Sequence, residues 1–224
     1  MAIGFRVLPR QRKVAAEVVQ QFRDLPVANV SDVMARITAA GPRLRPLHLG
    51  GVLAGPALTV KSRPGDNLMV HKALQMAEPG DVIVVDAGGD LSNAIIGELM
   101  LAQAARIGVA GVVINGAVRD YGAIRASRFP VFAAGVTHRG PYKDGPGEVN
   151  VPIAIDGMIV EPGDLILGDD DGLVCVAYAD TATVHAAAVA KQEAEAKIMA
   201  ATAEGNVSRP WVDETLKRLG CEGV

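Results

Sequence analysis

The stretch GDVIVVDAGGDLSNAIIGELMLAQAARIGVAGVVINGAVRD, residues Gly80–Asp120, decides the fold predicted for this chain. Its apolar runs VIVVD and VAGVVIN lack alternation, which is typical of strands that are buried on both faces. The segment between these runs predicts a helix from about Ser92 to Ile107, a crossover long enough to join parallel strands. The stretch therefore predicts a strand, a glycine loop that opens a helix, and a second strand parallel to the first.

The residues before this stretch predict two helices. Residues 11–23 carry valines and a phenylalanine at helical spacing. The segment NVSDVMARI, Asn29–Ile37, predicts a second, shorter helix, with Asn29 or Ser31 as its N-cap.

The pattern changes after Gly140, where a polar loop rich in Gly and Pro is followed by short apolar runs. Asp156-Gly157 fits the two-residue turn of a hairpin, and an acidic turn separates two further strands. Residues from Thr181 to about Glu204 predict a long Ala-rich helix. Because this half favours antiparallel pairing, the chain predicts an α/β fold with a mixed sheet and a long C-terminal helix, in one domain.

Composition excludes several classes of partner. The chain has 224 residues, 50% of them hydrophobic, with a net charge of −3 and 4% aromatic residues. Without a basic stripe with interleaved aromatics, no nucleic-acid partner is expected. Gly, Pro or charge interrupts every apolar run, and the N-terminus has no apolar signal core, so no membrane partner is expected. Two cysteines make no disulfide framework, and we expect a cytoplasmic protein.

The loop from Gly88 to Ser92 is the first candidate binding site. Two glycines allow positive φ and a close backbone approach to a ligand, and amides at the start of a helix favour an anion. The alternative is a plain connection between a strand and a helix. The loop lacks the glycine spacing of a dinucleotide site.

Arg119 and Asp120 form the second candidate site. A turn predicted at Asn115-Gly116 follows a buried strand, so the pair is expected at the strand's carboxyl end, where α/β sheets bind ligands. An arginine fork suits a carboxylate, and an aspartate suits Mg²⁺ or Mn²⁺. Glu98 could add a second carboxylate. The alternatives are a surface salt bridge and a solvated helix glutamate.

The other polar residues favour structural roles. The acidic turn Asp169–Asp171 lacks the ligand spacing of a calcium-binding EF-hand loop. The four histidines show no metal-ligand spacing, and His71 and His138 could contact a substrate although a structural role is favoured for each. No nucleophile motif indicates covalent catalysis.

Taken together, these motifs resemble the family of the regulator of ribonuclease activity A and the class II 4-hydroxy-4-methyl-2-oxoglutarate aldolases. The resemblance covers about Asn29 to Val176. Its most specific element is Glu98 followed, after twenty intervening residues, by Arg119-Asp120. The motifs that carry it are ANVSDVM, PGDVIVVDAGG, Gly97-Glu98, GVVINGAVRD, FPVFAAGV and VEPGDLILGDDDGLVCV. The resemblance implies one domain over residues 1–224, an α/β sandwich of the swivelling phosphohistidine-domain type.

The resemblance also implies a carbon–carbon lyase that cleaves 4-hydroxy-2-oxo dicarboxylic acids to pyruvate. The substrates implied are 4-hydroxy-4-methyl-2-oxoglutarate or 4-carboxy-4-hydroxy-2-oxoadipate, and oxaloacetate would be decarboxylated at the same site. In this reading Asp120 binds Mg²⁺ or Mn²⁺, Arg119 holds the pyruvyl part of the substrate, and Glu98 acts on the metal through water.

The remaining site residues follow from the same resemblance. Backbone amides of Gly89, Asp90 and Leu91 would bind the substrate carboxylate. Glu193 or Glu195 would enter the site from a neighbouring subunit of a homotrimer or dimer of trimers.

Two departures from the family pattern bear on activity. Glu98 replaces the usual aspartate, and Ala123 stands where many members carry an acidic residue. The alternative function is a non-catalytic regulator that binds an RNA-processing endoribonuclease.

Overall fold

The computed structural model describes residues 3–224, which form two compact units. One unit runs to Ala188 and contains the strands, and the other comprises Val189–Val224. The described strands are β1 (Phe5–Val7), β2 (Arg45–Pro46), β3 (Leu53–Ser62), β4 (Val82–Asp86), β5 (Ala94–Ile96), β6 (Gly111–Val118), β7 (Val131–Val136), β8 (Gly147–Val149), β9 (Ile153–Ile155), β10 (Met158–Val160), β11 (Leu165–Asp169) and β12 (Gly172–Val176). The α-helices are α1 (Ala16–Phe22), α2 (Val27–Val33), α3 (Leu68–Met76), α4 (Glu98–Ile107), α5 (Tyr121–Ala126), α6 (Thr181–Ala203) and α7 (Trp211–Arg218).

The main sheet is mixed, as predicted. Its central strands β3, β4, β6 and β7 run parallel, while β8 and β11 pair with β3 in the antiparallel sense. Because the carboxyl ends of parallel strands meet at one edge of a sheet, the residues that follow β4, β6 and β7 lie at the same edge.

Strand β4 is buried on both faces, as its unbroken apolar run predicts. Ile83 and Val85 belong to the apolar cluster that includes residues of α3 and α4. Val82 and Val84 belong to the cluster that includes residues of β9 and β10. The sheet is therefore the middle layer of the first unit, with helices on one face and a hairpin on the other.

The predicted helix from Ser92 to Ile107 is wrong in its first part. Residues Ala94–Ile96 form β5, which pairs in parallel with β6, and α4 begins at Glu98. The Ala94 amide donates to the carbonyl of Arg139, 2.8 Å away. A short apolar run is ambiguous between strand and helix, and here long-range backbone pairing decides for the strand.

The turn predicted at Asn115-Gly116 is also wrong, because both residues lie within β6, which continues to Val118. The register of β6 against β7 shifts between Ile114 and Ala117, which is the mark of a bulge. The irregularity therefore shifts the pairing of the strand without ending it.

The second N-terminal helix is shifted from its predicted range. Helix α2 begins after Pro26, and the Val27 amide donates to Asp169 Oδ2 at 2.9 Å, so neither predicted N-cap begins the helix. Ala35 and Arg36 both have left-handed φ angles of 56° and 64°. A left-handed backbone cannot continue a right-handed helix, so α2 does not reach Ile37. Helix α1 is likewise shorter than residues 11–23.

The C-terminal half follows the prediction. Strands β9 and β10 form an antiparallel hairpin, with Asp156 and Gly157 at φ angles of 47° and 90°. Strands β11 and β12 pair across the acidic turn, and the long helix α6 is present. Within residues 3–224, no helix is long and apolar enough to cross a membrane.

Candidate functional site

Arg119 and Asp120 follow β6 directly, at the carboxyl edge of the parallel strands. The Arg119 amide donates to the carbonyl of Ile96 at 3.0 Å, which fixes this residue beside the end of β5. Asp120 has a left-handed backbone, with φ 60° and ψ 39°, and it precedes α5. Its Oδ2 accepts a hydrogen bond of 2.9 Å from the Glu98 amide. This contact brings together the first residue of α4 and the residue before α5.

Gly97 allows this close approach. A Cβ atom at Gly97 would lie 2.8 Å from Arg119 Cγ and closer still to Asp120 Oδ2. Contacts this short are not tolerated, so any side chain here would displace one of the two residues. The glycine therefore sets the position of the Arg119-Asp120 pair relative to α4.

Arg119 and Asp120 remain open to a ligand. Their Nε and Oδ2 atoms are 3.7 Å apart, and the side chains are 42% and 41% exposed. An ion pair this exposed is weak, so the guanidinium and the carboxylate each stay available to a ligand. The Glu98 side chain is exposed and lines a shallow groove of about 180 Å³ between α4 and α5, together with Ala123.

A separate cleft of about 340 Å³ is lined in part by Arg119. It is lined by parts of α3, β5, the first turn of α4 and the segment 140–143. The basic side chains that line it are Arg119, Lys143 and His71, and none of the described lining residues is Asp or Glu. An unbalanced set of basic groups in a cleft attracts anions, so an acidic small molecule fits this cleft.

The first turn of α4 also faces the cleft, through Gly97, Leu99 and Met100. The N-terminus of a helix favours a negative charge, because unpaired amides and the helix dipole point outward there. The helix that begins beside Arg119 is therefore α4, which follows β5.

The glycine loop predicted to bind the carboxylate is held by contacts within the fold. Gly88 and Gly89 have the predicted positive φ, at 68° and 70°. Their amides donate to Asp86 Oδ1 and to the carbonyl of Asn115, each at 3.0 Å. The two glycines therefore form a turn that joins the end of β4 to Asn115 within β6.

The substrate-binding residues predicted in this loop lie outside the cleft beside Arg119. Asp90 Oδ1 accepts from the Ser92 amide at 2.9 Å, and Leu91 lies against Gly135. The role assigned to Gly89, Asp90 and Leu91 stays a prediction.

Lys143 is a site residue that the sequence did not reveal. It lies in a polar loop rich in Gly and Pro, where a lysine is ordinarily a solvated surface residue. Only the fold brings it to the same cleft as Arg119. His71, for which a structural role was favoured, lines the cleft as well.

The imidazole of His71 is tuned by this environment. Burial is the larger cause that lowers its pKa below 6.5, and the positive charge of Lys143 lowers it further. His71 is therefore neutral near pH 7, and the permanent positive charges of the cleft are those of Arg119 and Lys143.

The Asp120 carboxylate suits a cation whose other ligands are water and substrate oxygens. Within residues 3–224 no cluster of three His, Cys, Asp or Glu side chains could form a closed metal site. Mg²⁺ is commonly held by one or two carboxylates, with waters and substrate oxygens as the other ligands. The half-exposed Asp120 carboxylate matches that pattern.

The residues predicted to come from a neighbouring subunit lie on α6, in the second compact unit. Glu195 forms an ion pair of 2.9 Å with Lys191, one helical turn before it. A role of Glu193 or Glu195 in the site, and the homotrimer or dimer of trimers that it requires, stay predictions.

The family model described as "RraA-like: Aldolase/RraA" matches residues 27–175, which include β5, the start of α4, Arg119 and Asp120. The chain belongs to the RraA-like family. The predicted resemblance is therefore confirmed.

The names of relatives of this RraA-like chain refer to both functions considered above. A protein of Halalkalibacterium halodurans named "Putative 4-hydroxy-4-methyl-2-oxoglutarate aldolase" is 43% identical over 160 residues, covering 71% of this chain and 76% of the relative. The RNA-processing inhibitor RraA from Thermus thermophilis is 33% identical, with a TM-score of 0.63, covering 68% of this chain and 93% of its own.

A third relative extends the match over more of the fold. The structure of an uncharacterized protein from Pseudomonas syringae has a TM-score of 0.78 and 27% identity, covering 87% of this chain and 96% of its own. The mixed α/β fold of the RraA-like family is therefore confirmed for this chain.

The position of His71 beside Lys143 gives a testable titration. We expect NMR titration of the ring signals to give His71 a pKa below 6.5, and Lys143→Ala to raise it only in part, because burial remains. Below about pH 6.5 the unfolded chain binds a proton that the folded His71 resists, so stability falls as the pH falls. A His71 pKa that Lys143→Ala does not move would contradict this geometry.

Proposed function

We propose that this chain is a divalent-metal-dependent aldolase that cleaves 4-hydroxy-2-oxo dicarboxylic acids to pyruvate and also decarboxylates oxaloacetate. The substrates are of the 4-hydroxy-4-methyl-2-oxoglutarate or 4-carboxy-4-hydroxy-2-oxoadipate type. The observation that carries the proposal is a cleft whose described lining residues include basic but no acidic side chains, and which shares Arg119 with the pocket that Asp120 lines. The name of the Halalkalibacterium halodurans relative supports the same reaction.

The pyruvyl half of the substrate binds at the start of α4. Its carboxylate lies against the first turn of the helix, which favours negative charge. The Arg119 guanidinium interacts with the carboxylate and the neighbouring keto oxygen, since an arginine fork offers several donors in one plane. This assignment moves the carboxylate from the Gly89–Leu91 amides to the start of α4. The Leu99 amide is its donor there, because the Glu98 amide is bonded to Asp120 and the Met100 and Leu101 amides are bonded to the Gly97 carbonyl.

The second carboxylate of the substrate binds in the part of the cleft that Lys143 and His71 line. Lys143 lies there on the segment 140–143, and the neutral His71 adds a hydrogen-bond partner from α3. Two positive charges in one cleft match a substrate with two carboxylates. Charge complementarity of this kind selects dicarboxylic over monocarboxylic acids.

Asp120 is the residue that would hold Mg²⁺ or Mn²⁺. When bound, the divalent ion supplies Lewis-acid stabilisation of the negative charge that develops on the keto oxygen. Arg119 supports the same charge from the protein side, as a positive donor whose backbone is held at the end of β5.

The bond cleavage needs a base and a site for the released electron pair. Glu98, whose side chain lines the groove between α4 and α5 and not the cleft itself, would accept the proton of the 4-hydroxyl group through water, and the C4 oxygen then forms a carbonyl. The C3–C4 bond breaks, and its electron pair forms the pyruvate enolate, which Arg119 stabilises. A proton returned to C3 gives pyruvate. Oxaloacetate yields the same enolate when its C3–C4 bond breaks and CO₂ leaves.

A Schiff base on Lys143 is the competing chemistry, because this amine lies in the same cleft. The two mechanisms differ in what abolishes the reaction. A metal-dependent enzyme loses activity with a chelator, whereas a Schiff-base enzyme does not.

The test is pyruvate release from the two dicarboxylic substrates and from oxaloacetate. We expect EDTA to abolish it, Mg²⁺ or Mn²⁺ to restore it, and Asp120→Ala to lower kcat/KM by about 10³-fold or more even with metal present, since the metal contributes several kcal/mol. Activity that survives EDTA but is lost on borohydride reduction with pyruvate would overturn the metal-dependent mechanism.

A regulatory function is the second candidate, because the relative from Thermus thermophilis is an RNA-processing inhibitor. A pull-down with an RNA-processing endoribonuclease and a pyruvate assay on the same preparation separate the two functions. Binding without turnover of any of the three substrates would favour the regulator.

The close packing at Gly97 gives a second test with a matched control. Gly97→Ala is expected to displace Asp120 or Arg119 and to lower kcat/KM by about 10²-fold, as small misplacements of catalytic groups do. Gly122→Ala, in the adjacent α5, introduces a Cβ that meets nothing within 4 Å and should retain activity. Equal activity of the two variants would contradict the role assigned to Gly97.

A further inference from the structure

We infer that Asp66 is a positioning residue that holds the Lys143 and His71 walls of the cleft together, an inference that rests on the proposed function. Asp66 lies in the turn between β3 and α3, and it is fully buried. It is not among the residues that line the cleft, so it acts through the segments that it joins.

The Asp66 carboxylate accepts three backbone hydrogen bonds. Oδ1 accepts from the amide of Leu68, the first residue of α3, at 2.9 Å. Oδ2 accepts from the amides of Asp144 and Gly145, at 2.8 and 2.9 Å. One side chain thus joins the start of the helix that carries His71 to the segment that carries Lys143.

The residue on the other side of Lys143 is fixed as well. Tyr142 donates from its amide to the carbonyl of Gly65 at 2.9 Å, and its carbonyl accepts from the Asn67 amide at 3.1 Å. Lys143 therefore lies between two residues whose backbones are bonded to residues 65–67. Its ammonium group reaches the cleft from a fixed starting point rather than from a free loop.

No Lys or Arg forms an ion pair with Asp66 in the described part of the chain, so backbone donors satisfy its charge. Removing an acceptor from buried donors leaves them unpaired, which is costly. Asp66→Asn has nearly the same shape but replaces one acceptor oxygen with an NH₂ group. The one remaining carbonyl oxygen can face only one side, so either the Leu68 amide or the amides of Asp144 and Gly145 lose their acceptor, and the side-chain link between α3 and residues 144–145 is broken.

The test is a double-mutant cycle on KM for the dicarboxylic substrate. Asp66→Asn should raise KM about tenfold in the wild-type chain, but less than about twofold in the Lys143→Ala background, because Asp66 acts through Lys143. Effects that multiply independently in the two backgrounds would overturn the inference.

Asp164→Asn is the matched control. Asp164 is also buried, and its carboxylate accepts from the amides of Tyr178 and Glu161 at 2.9 and 3.0 Å, away from the cleft. It should lower the melting temperature as Asp66→Asn does, yet leave KM unchanged. If both variants lower stability and neither changes KM, Asp66 is merely structural and the inference fails.

Hydrogen exchange separates this inference from the proposed function. In the wild-type chain the amides of Asp144 and Gly145 should exchange slowly, and Asp66→Asn should speed their exchange with little change in β4. Fast exchange of these amides in the wild-type chain would overturn the inference even if the variant does not fold. A wild-type chain that releases no pyruvate overturns the proposed function alone, because the exchange measurement needs no substrate.

Discussion

The hydrogen bond from the Glu98 amide to Asp120 Oδ2 is the interaction on which the site depends. It uses one of the amides that a helix start leaves unpaired, so forming it costs the helix nothing. It also fixes a carboxylate beside an arginine without neutralising either group. Gly97 makes this short contact possible, since any side chain at residue 97 would overlap Asp120 and Arg119. The start of α4, the end of β6 and the start of α5 consequently form one rigid corner.

The sheet explains why this corner faces a cleft. Parallel strands deliver their connections to one edge, and two-sided burial of β4 and β6 makes that edge rigid. Strand β5 is a short additional strand beside β6. Because β5 lies between the glycine loop and α4, the helix begins beside Arg119 and not at the glycine loop. Another part of the cleft lining is built differently, from a loop held by the buried Asp66. One part of the lining is thus an extension of the sheet, and the other is a loop held by the Asp66 carboxylate and by the backbone bonds of Tyr142.

The sequence predicted those features that have a local pattern. The unbroken apolar runs of β4 and β6, the Asp156-Gly157 hairpin and Arg119-Asp120 at a strand's carboxyl end follow from spacing and residue type. Strand β5 could not be predicted, because three apolar residues fit a strand or a helix and only pairing with β6 decides. Lys143 could not be predicted either, since its position depends on contacts between residues about 80 apart in the chain, Asp66 and Gly145 among them.

The central claim is that Asp120, Arg119 and the start of α4 bind a metal and a keto acid together. A crystal structure with Mn²⁺ and oxalate, a planar analogue of the pyruvate enolate, tests this claim most directly. The account predicts an anomalous Mn²⁺ peak about 2.0–2.2 Å from an Asp120 carboxylate oxygen, with oxalate between Arg119 and the first turn of α4. Oxalate bound at the Gly88–Gly89 loop, or Mn²⁺ bound away from Asp120, would contradict it.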